Sequence, residues 1–536
     1  MGAVPDMTQT VAQLMRQVQR HPAHSVAVVS GARALTIGDL RAQSNAMANA
    51  FLGMGLRPGE RVAYVAQNHL EYVVLEFALL KAGLTKVPLN HRLTPAELLR
   101  CMELARVRLV VTDEESAQAL GDVIPGDGPL KVVIGTAAGW LPFEALAVDG
   151  READPRTPVG PDDIYHVRFS SGSTGKPKGI AISQRAARAA ILGNTWIMSS
   201  VSSARAPRTL QVAPLVYAGG WSVFPTLLRG GTNIVLSKFD ADETLRTIES
   251  ERIDWMFAVP TMLRRMSTAK SLPLLRKSNL SCLQLAGEPA AVPALEIVSE
   301  YTDALIQCWG QTEAPASTTL LTREEMKDPA LWPSIGRPIP GVEFSILRDG
   351  AVLDELAPGA EGELVIRTPT VASALLGGEA EYEARRLADG WWRTSDLGRL
   401  DGEGRIFIIG RASETIITGG TNIQPVEIER ALEEHHAVRE AVVVGVPDPR
   451  WGETPAALVH APDLVGADAG ADLIPWLRSR LAGFKCPRYV FVSTEPIPRS
   501  SGESKVARGD MKRTLASWVE YPDRVPPHVV KVAPHG

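Results

Sequence analysis

Short apolar strands alternate with helices through the N-terminal half of the chain, and that order constrains the fold more than any other feature. Thr36 and Asp39 form a Thr-x-x-Asp helix start, after which Leu40, Met47, Phe51 and Met54 recur at helical spacing and Gly55 offers a stop. Residues 61–65 read as a strand, 71–81 as a helix and 85–89 as a second apolar run. Apolar runs at 108–112, 131–134, 232–236 and 255–259 continue the series. Repeated strand–helix–strand order predicts parallel sheets covered on both faces.

The chain has 536 residues, which at about 150 per domain suggests three to four domains or subdomains. Residues 148–163 are rich in Pro, Gly and Asp and read as a linker between subdomains. Near Gly410 the texture changes from short glycine-rich β-like pieces to a helix over about 426–435, following Pro425. The expected division is a large unit over 1–410 and a small C-terminal unit over 411–536, a common domain size.

Composition removes several function classes. Lys and Arg number 56 against 61 Asp and Glu, a formal charge of −5 with no basic stripe, which speaks against nucleic-acid binding. Cys101, Cys282, Cys308 and Cys486 stand far apart with no Cys-x-x-Cys pair. That argues against a disulfide scaffold and a zinc site, and fits a reducing, cytoplasmic compartment. The N-terminal stretch lacks a cationic start followed by an apolar run, and Asp6 stands where a myristoylation signal needs Ser or Thr. The uncharged run 209–228 could span a bilayer, but Pro214, Gly219, Gly220 and Pro225 break it, so a buried core segment is expected. His435 and His436, being adjacent, should point to different sides of a helix and form no metal site. The pairs Glu324–Glu325 and Glu433–Glu434 read as solvated helix faces.

Residues 170–179 read SSGSTGKPKG. The strand pattern of 164–169 precedes them, with Tyr165, Val167 and Phe169 on one side, and Ser183 can cap a helix starting at Gln184. Gly172, Gly175 and Gly179 let the backbone approach an anion. Ser170, Ser171, Ser173 and Thr174 offer hydroxyls, and Lys176 and Lys178 offer charge. Pro177 after Lys176 excludes a Walker loop. On composition alone, a flexible Ser/Gly surface loop stays open as the alternative.

SSGSTGKPKG closely resembles the signature of the adenylate-forming enzymes, which include acyl-CoA synthetases, peptide-synthetase adenylation domains and firefly-type luciferases. Further segments follow in that family's order. AGEPA (286–290) resembles its adenine-side loop, and WGQTE (309–313) its aromatic-Gly-x-Thr-Glu segment. TSDLG (394–398) is similar to its ribose-binding segment, GRASETIITGGTNIQPVEIE (410–429) to its domain junction, and PRSSGESKVAR (498–508) to its catalytic-lysine motif. The likeness runs over roughly 20–515.

The resemblance implies an α/β fold. A large N-terminal domain of mainly parallel sheets layered with helices would carry a β-barrel-like subdomain, followed by a small, mobile α+β lid domain. It implies an AMP-forming carboxylic acid–CoA ligase that uses ATP, Mg²⁺ and coenzyme A. An acid and ATP would form an acyl-adenylate, and the acyl group would then pass to CoA. Lys505, Thr312 and Glu313 would be catalytic, with Glu313 also the metal ligand. Nucleotide contacts would come from Ser170, Ser171, Gly172, Ser173, Thr174, Gly175, Lys176 and Lys178, from Gly287, Glu288 and Pro289, and from Trp309, Gly310 and Gln311. Asp396 would take the ribose and Arg411 the ribose or phosphate side. Gly419, Gly420, Trp451, Phe484 and Arg488 would face CoA.

By the same resemblance, Tyr217, Gly220, Trp221, Val259, Met262, Gly287 and Gly310 line a mostly apolar acid pocket, suited to a medium- or long-chain fatty acid or an aromatic acid. A bulky residue at the position of Gly310 closes the pocket in acetate-using relatives, so Gly310 argues for a larger acid. Trp221 reads either as a gate or as a core aromatic. Several positions depart from the family pattern: Tyr217 and Gln184 where histidine is usual, Ser413 at the hinge, Cys486 beside the CoA contacts and one extra residue before Lys505. Two other functions stay open: a ligase that passes the acyl group to a carrier protein or another nucleophile, and a non-catalytic nucleotide-binding relative. The expected partners are a small carboxylic acid, ATP and CoA, with no nucleic acid and no integral membrane span; a homodimer is compatible.

Overall fold

A computed structural model describes residues 9–121, 123–126, 128–147, 153–171, 177–287, 292–353, 357–464, 473–499, 506 and 508–532. The helix Ile37–Gly53 opens with the expected capping box: Asp39 N donates to Thr36 Oγ1 at 3.1 Å and Thr36 N to Asp39 Oδ2 at 2.9 Å. The helix Glu71–Ala82 is buried on every side and ends at Gly83, whose φ of 66° is the left-handed geometry that stops a helix. Residues 209–228 form a buried strand, a 3-10 turn and a short helix. No helix among the described residues is long and apolar enough to cross a membrane.

The alternating pattern builds two sheets. One has seven strands in the order Leu305–Gln307, Cys282–Leu285, Trp255–Ala258, Arg208–Gln211, Thr232–Val235, Val26–Ser30, Arg33–Thr36, parallel except for the final hairpin. The other has eight, with Thr85–Leu89, Arg61–Val65, Val107–Asp113 and Leu130–Ile134 parallel at its centre. Ile164–Ser171 joins this sheet beside Thr85–Leu89 and returns antiparallel as Pro177–Ser183.

The strand Ile164–Ser171 corrects the alternation expected of it. Its register with Pro177–Ser183 shifts between Ile164 and His166. A bulge of this kind puts one extra residue into the strand and reverses the facing beyond it. Tyr165 therefore packs in the core that holds Trp221, whereas Val167 lies in the core on the opposite side of the sheet and Phe169 packs against it.

A third sheet is antiparallel and seven-stranded, with the order Thr319–Leu320, Ser334–Pro338, Ile406–Arg411, Trp392–Leu400, Glu361–Arg367, Glu343–Arg348, Ala351–Val352. It stands where the barrel-like subdomain was expected, and its strand order is linear among the described residues. A fourth sheet, built on the long hairpin Glu440–Asp448 and Gly452–His460, belongs to a separate C-terminal domain with its own apolar clusters. The two units touch where Arg264 Nη1 lies 3.2 Å from Glu440 Oε2.

Two acidic pairs are not merely solvated faces. Glu325 pairs with Arg337 and accepts from Thr322 Oγ1 at 2.9 Å. Glu433 turns inward to accept from Ala441 N at 3.3 Å, and burial pushes its carboxyl up to about 7. His435 and His436 follow the helix Pro425–Glu433, with His435 buried and His436 exposed. Their ring centroids lie 4.5 Å apart rather than on opposite sides, because the chain has left helical geometry there. No group of residues suited to a metal ion occurs among the described residues.

Candidate active site

Asp396 is the hub of the site. The strand Trp392–Leu400 alternates buried and half-buried residues, which turns Thr394 and Asp396 inward together. Asp396 is 3 % exposed, and its carboxylate collects three donors from two other segments. Trp309 Nε1 reaches Oδ2 at 3.2 Å, Gln311 Nε2 reaches the same oxygen at 3.1 Å, and Arg411 Nε lies 3.0 Å from Oδ1. Trp309 is held in turn by Thr319 Oγ1, which accepts its backbone N–H at 3.1 Å, and by the edge of Phe344, with ring centroids 5.5 Å apart. The WGQTE, TSDLG and junction segments thus meet at one carboxylate.

Glu313 stands beside this hub, after half-buried Thr312. Its backbone oxygen accepts from Ala372 N at 2.6 Å, and its Oε1 lies 3.1 Å from Arg385 Nη1. Arg385 also pairs with Glu381 at 2.8 Å, and Glu381 pairs with Lys178. The helix Glu379–Arg385 therefore strings a row of alternating charges from the end of the Ser/Gly-rich loop to Glu313. Sequence reasoning missed Glu381 and Arg385. A helix face with mixed charges is common, and nothing local marks one arginine as the partner of a glutamate 72 residues earlier.

Gly172, Ser173, Thr174, Gly175, Lys176, Glu288, Pro289 and Lys505 lie outside the described residues, as do the side chains of Ser170 and Ser171. Gln184 is buried and accepts from Val11 N at 3.1 Å, so it pins the N-terminal helix to the fold.

Three of the expected acid-pocket residues share one cavity. Tyr217, Gly220 and Trp221 line one cavity together with Tyr72, Lys86, His166 and Arg168. Val259 and Gly287 adjoin each other, and Met262 is packed in the core around the helix Pro260–Ser267. Trp221 is 7 % exposed, so it is both a core aromatic and a cavity wall. Gly310 changes meaning. A Cβ at this position would collide with the carbonyl oxygen of Ala316. In this backbone glycine therefore has a packing reason as well as the expected one of acid size.

The cavity wall is more polar than expected. Lys86 Nζ donates to Glu76 and, at 3.1 Å, to Tyr72 Oη, and Tyr165 Oη donates to Glu76. Burial holds the Lys86 ammonium and the Arg168 guanidinium below their usual values and raises the Tyr72 and Tyr165 phenols. It also holds His166 well below the ordinary imidazole range, with Lys86 and Arg168 adding to the effect.

In the C-terminal domain, Gly419 (φ 54°) donates its N–H to Trp451 O at 2.9 Å, and a Cβ on it would strike the indole. Asp448 Oδ1 accepts from Trp451 N at 3.0 Å while Oδ2 pairs with Arg488 Nη1 at 2.7 Å. Gly419, Trp451 and Arg488 are thereby joined; Phe484 is exposed on a short turn nearby in sequence. Beside Ser413, Glu414 Oε2 lies 3.1 Å from Arg508, which also holds Glu429. This ties the junction to the start of the helix Arg508–Glu520.

Family comparison agrees with this architecture. Residues 14–376 match the AMP-binding enzyme model, and 427–502 match the AMP-binding enzyme C-terminal domain. A feruloyl-CoA synthase from Amycolatopsis sp is 34% identical over 511 residues, covering 93% of this chain and 97% of that protein. An indoleacetate–CoA ligase from Aromatoleum aromaticum is 32% identical over 500 residues, covering 90% and 94%. The structure of the amide bond synthetase McbA from Marinactinospora thermotolerans superposes with a TM-score of 0.82 at 28% identity, covering 94% of this chain and all of that one. The chain therefore belongs to the AMP-binding, adenylate-forming enzyme family and stands among its acid–CoA ligases.

Proposed function

We propose that this protein activates an aromatic carboxylic acid with ATP and transfers the acyl group to CoA in the cytoplasm. The observation that carries the reading is the set of donors around Asp396, which joins it to Arg411 on the neighbouring strand and to Trp309, 87 residues earlier. The aromatic choice is supported by the names of two relatives, feruloyl-CoA synthase and indoleacetate–CoA ligase, and by the aromatic wall of Tyr217 and Trp221. These favour an aromatic acid over the fatty acid that the resemblance left open.

A carboxylate is a poor electrophile because it is anionic and lacks a good leaving group. Joining it to AMP with release of pyrophosphate supplies that leaving group. In this reading the two Asp396 oxygens accept from the ribose hydroxyls, as a bidentate acceptor can. Trp309 lies against the purine, and Arg411 adds fixed positive charge at the junction. The Ser/Gly-rich loop cradles the phosphates, and Lys505 stabilises charge growing at the α-phosphate. One carboxylate with substrate phosphates is a common way to hold Mg²⁺, and Glu313, fixed by Arg385, fits that role. The ion would neutralise charge on the phosphates. In the second half-reaction the C-terminal domain turns, and Gly419, Gly420, Trp451, Phe484 and Arg488 guide the CoA thiol to the anhydride.

The test is an incubation of the protein with ATP, Mg²⁺ and cinnamic, arylacetic, benzoic and fatty acids, with and without CoA. Pyrophosphate release followed by acyl-CoA, highest with aromatic acids, is expected. Acyl-adenylate that persists beside CoA overturns the acceptor, and the likeness to an amide bond synthetase makes an amine the next acceptor to offer. Absence of any adenylate overturns the catalytic reading.

A further inference from the structure

Behind Tyr217 and Trp221 the fold collects groups that an apolar pocket does not need. The helix Glu71–Ala82 and the strands Thr85–Leu89 and Ile164–Ser171 bring Tyr72, Lys86, His166 and Arg168 around a cavity of about 20 Å³, room for one oxygen-sized group. The carboxylate of this cluster, Glu76, is already engaged by Lys86 and Tyr165. Arg168 donates to Val216 O at 3.0 Å and meets no carboxylate at ion-pair distance among the described residues. His166 is 2 % exposed, and its Nε2 has no hydrogen-bond partner among the described residues. Buried donors and acceptors of this kind cost free energy until a ligand completes them.

Asn194 links the cavity wall to the segment that follows WGQTE. Asn194 Nδ2 donates to Trp221 O at 3.3 Å, and Asn194 Oδ1 accepts from Ser317 N at 3.3 Å, in the loop that follows WGQTE. The bulge at 164–166 is what turns Tyr165 to the same side of the sheet as Trp221.

We propose that this cavity is the distal end of the acid pocket, and that it receives a ring hydroxyl of a hydroxylated aromatic acid, which accepts from Arg168 and donates to His166 Nε2. The proposal rests on the ligase reading and deepens it. A hydroxyl is both donor and acceptor, so a single group satisfies the guanidinium and the imidazole together. A site built to bond a hydroxyl discriminates strongly against the analogue that lacks it.

The experiment compares 4-hydroxycinnamate with cinnamate, and 4-hydroxyphenylacetate with phenylacetate, on the wild type and on Arg168→Met, Arg168→Lys and His166→Phe. Binding is measured by calorimetry without ATP, and kcat/KM with ATP and CoA. The wild type is expected to favour at least one hydroxylated acid by about tenfold or more in binding. Arg168→Met should bring that ratio to within about twofold of unity, with His166→Phe reducing it and Arg168→Lys retaining part of it. No preference in the wild type, or equal loss on both members of a pair in Arg168→Met, overturns the proposal. If calorimetry shows an Arg168-dependent preference but ATP yields no pyrophosphate, the subsite stands and the ligase reading falls. His166→Phe supplies the same readout should Arg168→Met fail to fold.

Discussion

Arg411 Nε lies 3.0 Å from Asp396 Oδ1, and the two residues face each other across one rung of the antiparallel pair Trp392–Leu400 and Ile406–Arg411. The last residues of the large domain's third sheet thus share a carboxylate with the start of the junction. Asp396→Asn keeps an acceptor for Trp309 and Gln311 but removes the charge facing Arg411. A charged hydrogen bond is worth about 1.5–3 kcal/mol, so KM for ATP should rise about 10- to 100-fold. Steady-state kinetics with ATP and acid varied separately check this. A rise confined to the KM of the acid would assign Asp396 elsewhere.

Lys505→Ala should suppress adenylate formation by about 100-fold or more, the usual cost of removing one group aimed at transition-state charge. Thioester formation from supplied acyl-adenylate should continue at near wild-type rate. Quenched-flow assays of the separate half-reactions check it. Equal loss of both would remove Lys505 from the first step.

Gly310→Ala distinguishes packing from specificity. The added Cβ meets the Ala316 carbonyl, a backbone atom that cannot rotate away. Overpacking of this kind costs about 1–3 kcal/mol or more, so the thermal midpoint should fall. Activity should drop alike on small and large acids. A stable variant that merely shifts preference toward small acids would restore Gly310 as a determinant of acid size.

Lys81 tests the core through pH. It is fully buried, with Nζ 2.6 Å from Ser44 Oγ and 2.6 Å from Asn45 Oδ1, and burial pulls it down to about 7. An unfolded lysine titrates near 10.4, so between about pH 7 and 10 the unfolded chain binds more protons than the folded one. Stability should therefore rise with pH across that window, and the penalty is full below about pH 7. Lys81→Met should stabilise the protein by on the order of 2 kcal/mol at pH 6, the gain shrinking toward pH 10. Urea unfolding at pH 6, 8 and 10 reads this. A gain that does not change with pH would remove the charge from the explanation.

The element pattern was legible because its signals are local. The capping box of Thr36 and Asp39 closes within one helical turn, and the strand Arg61–Val65 announces itself by its own apolar run. The motif order was legible for a related reason: phosphate, ribose and domain-junction chemistry each demand particular residue types close together. The alternation of Tyr165 and Val167 misled because a bulge depends on the partner strand's register. Glu433 misled because its burial comes from the neighbouring strand that begins at Glu440.

The sequence by itself determined the strand–helix order, the family and the types of group that could handle a nucleotide, since these follow from spacing along the chain. Only the tertiary structure decided that Arg385 would hold Glu313, that Ala316 would exclude a side chain at Gly310, and that His166 and Arg168 would share one cavity with Trp221. Such partners come from separate segments, and only packing sets the distances, burial and charge balance between them.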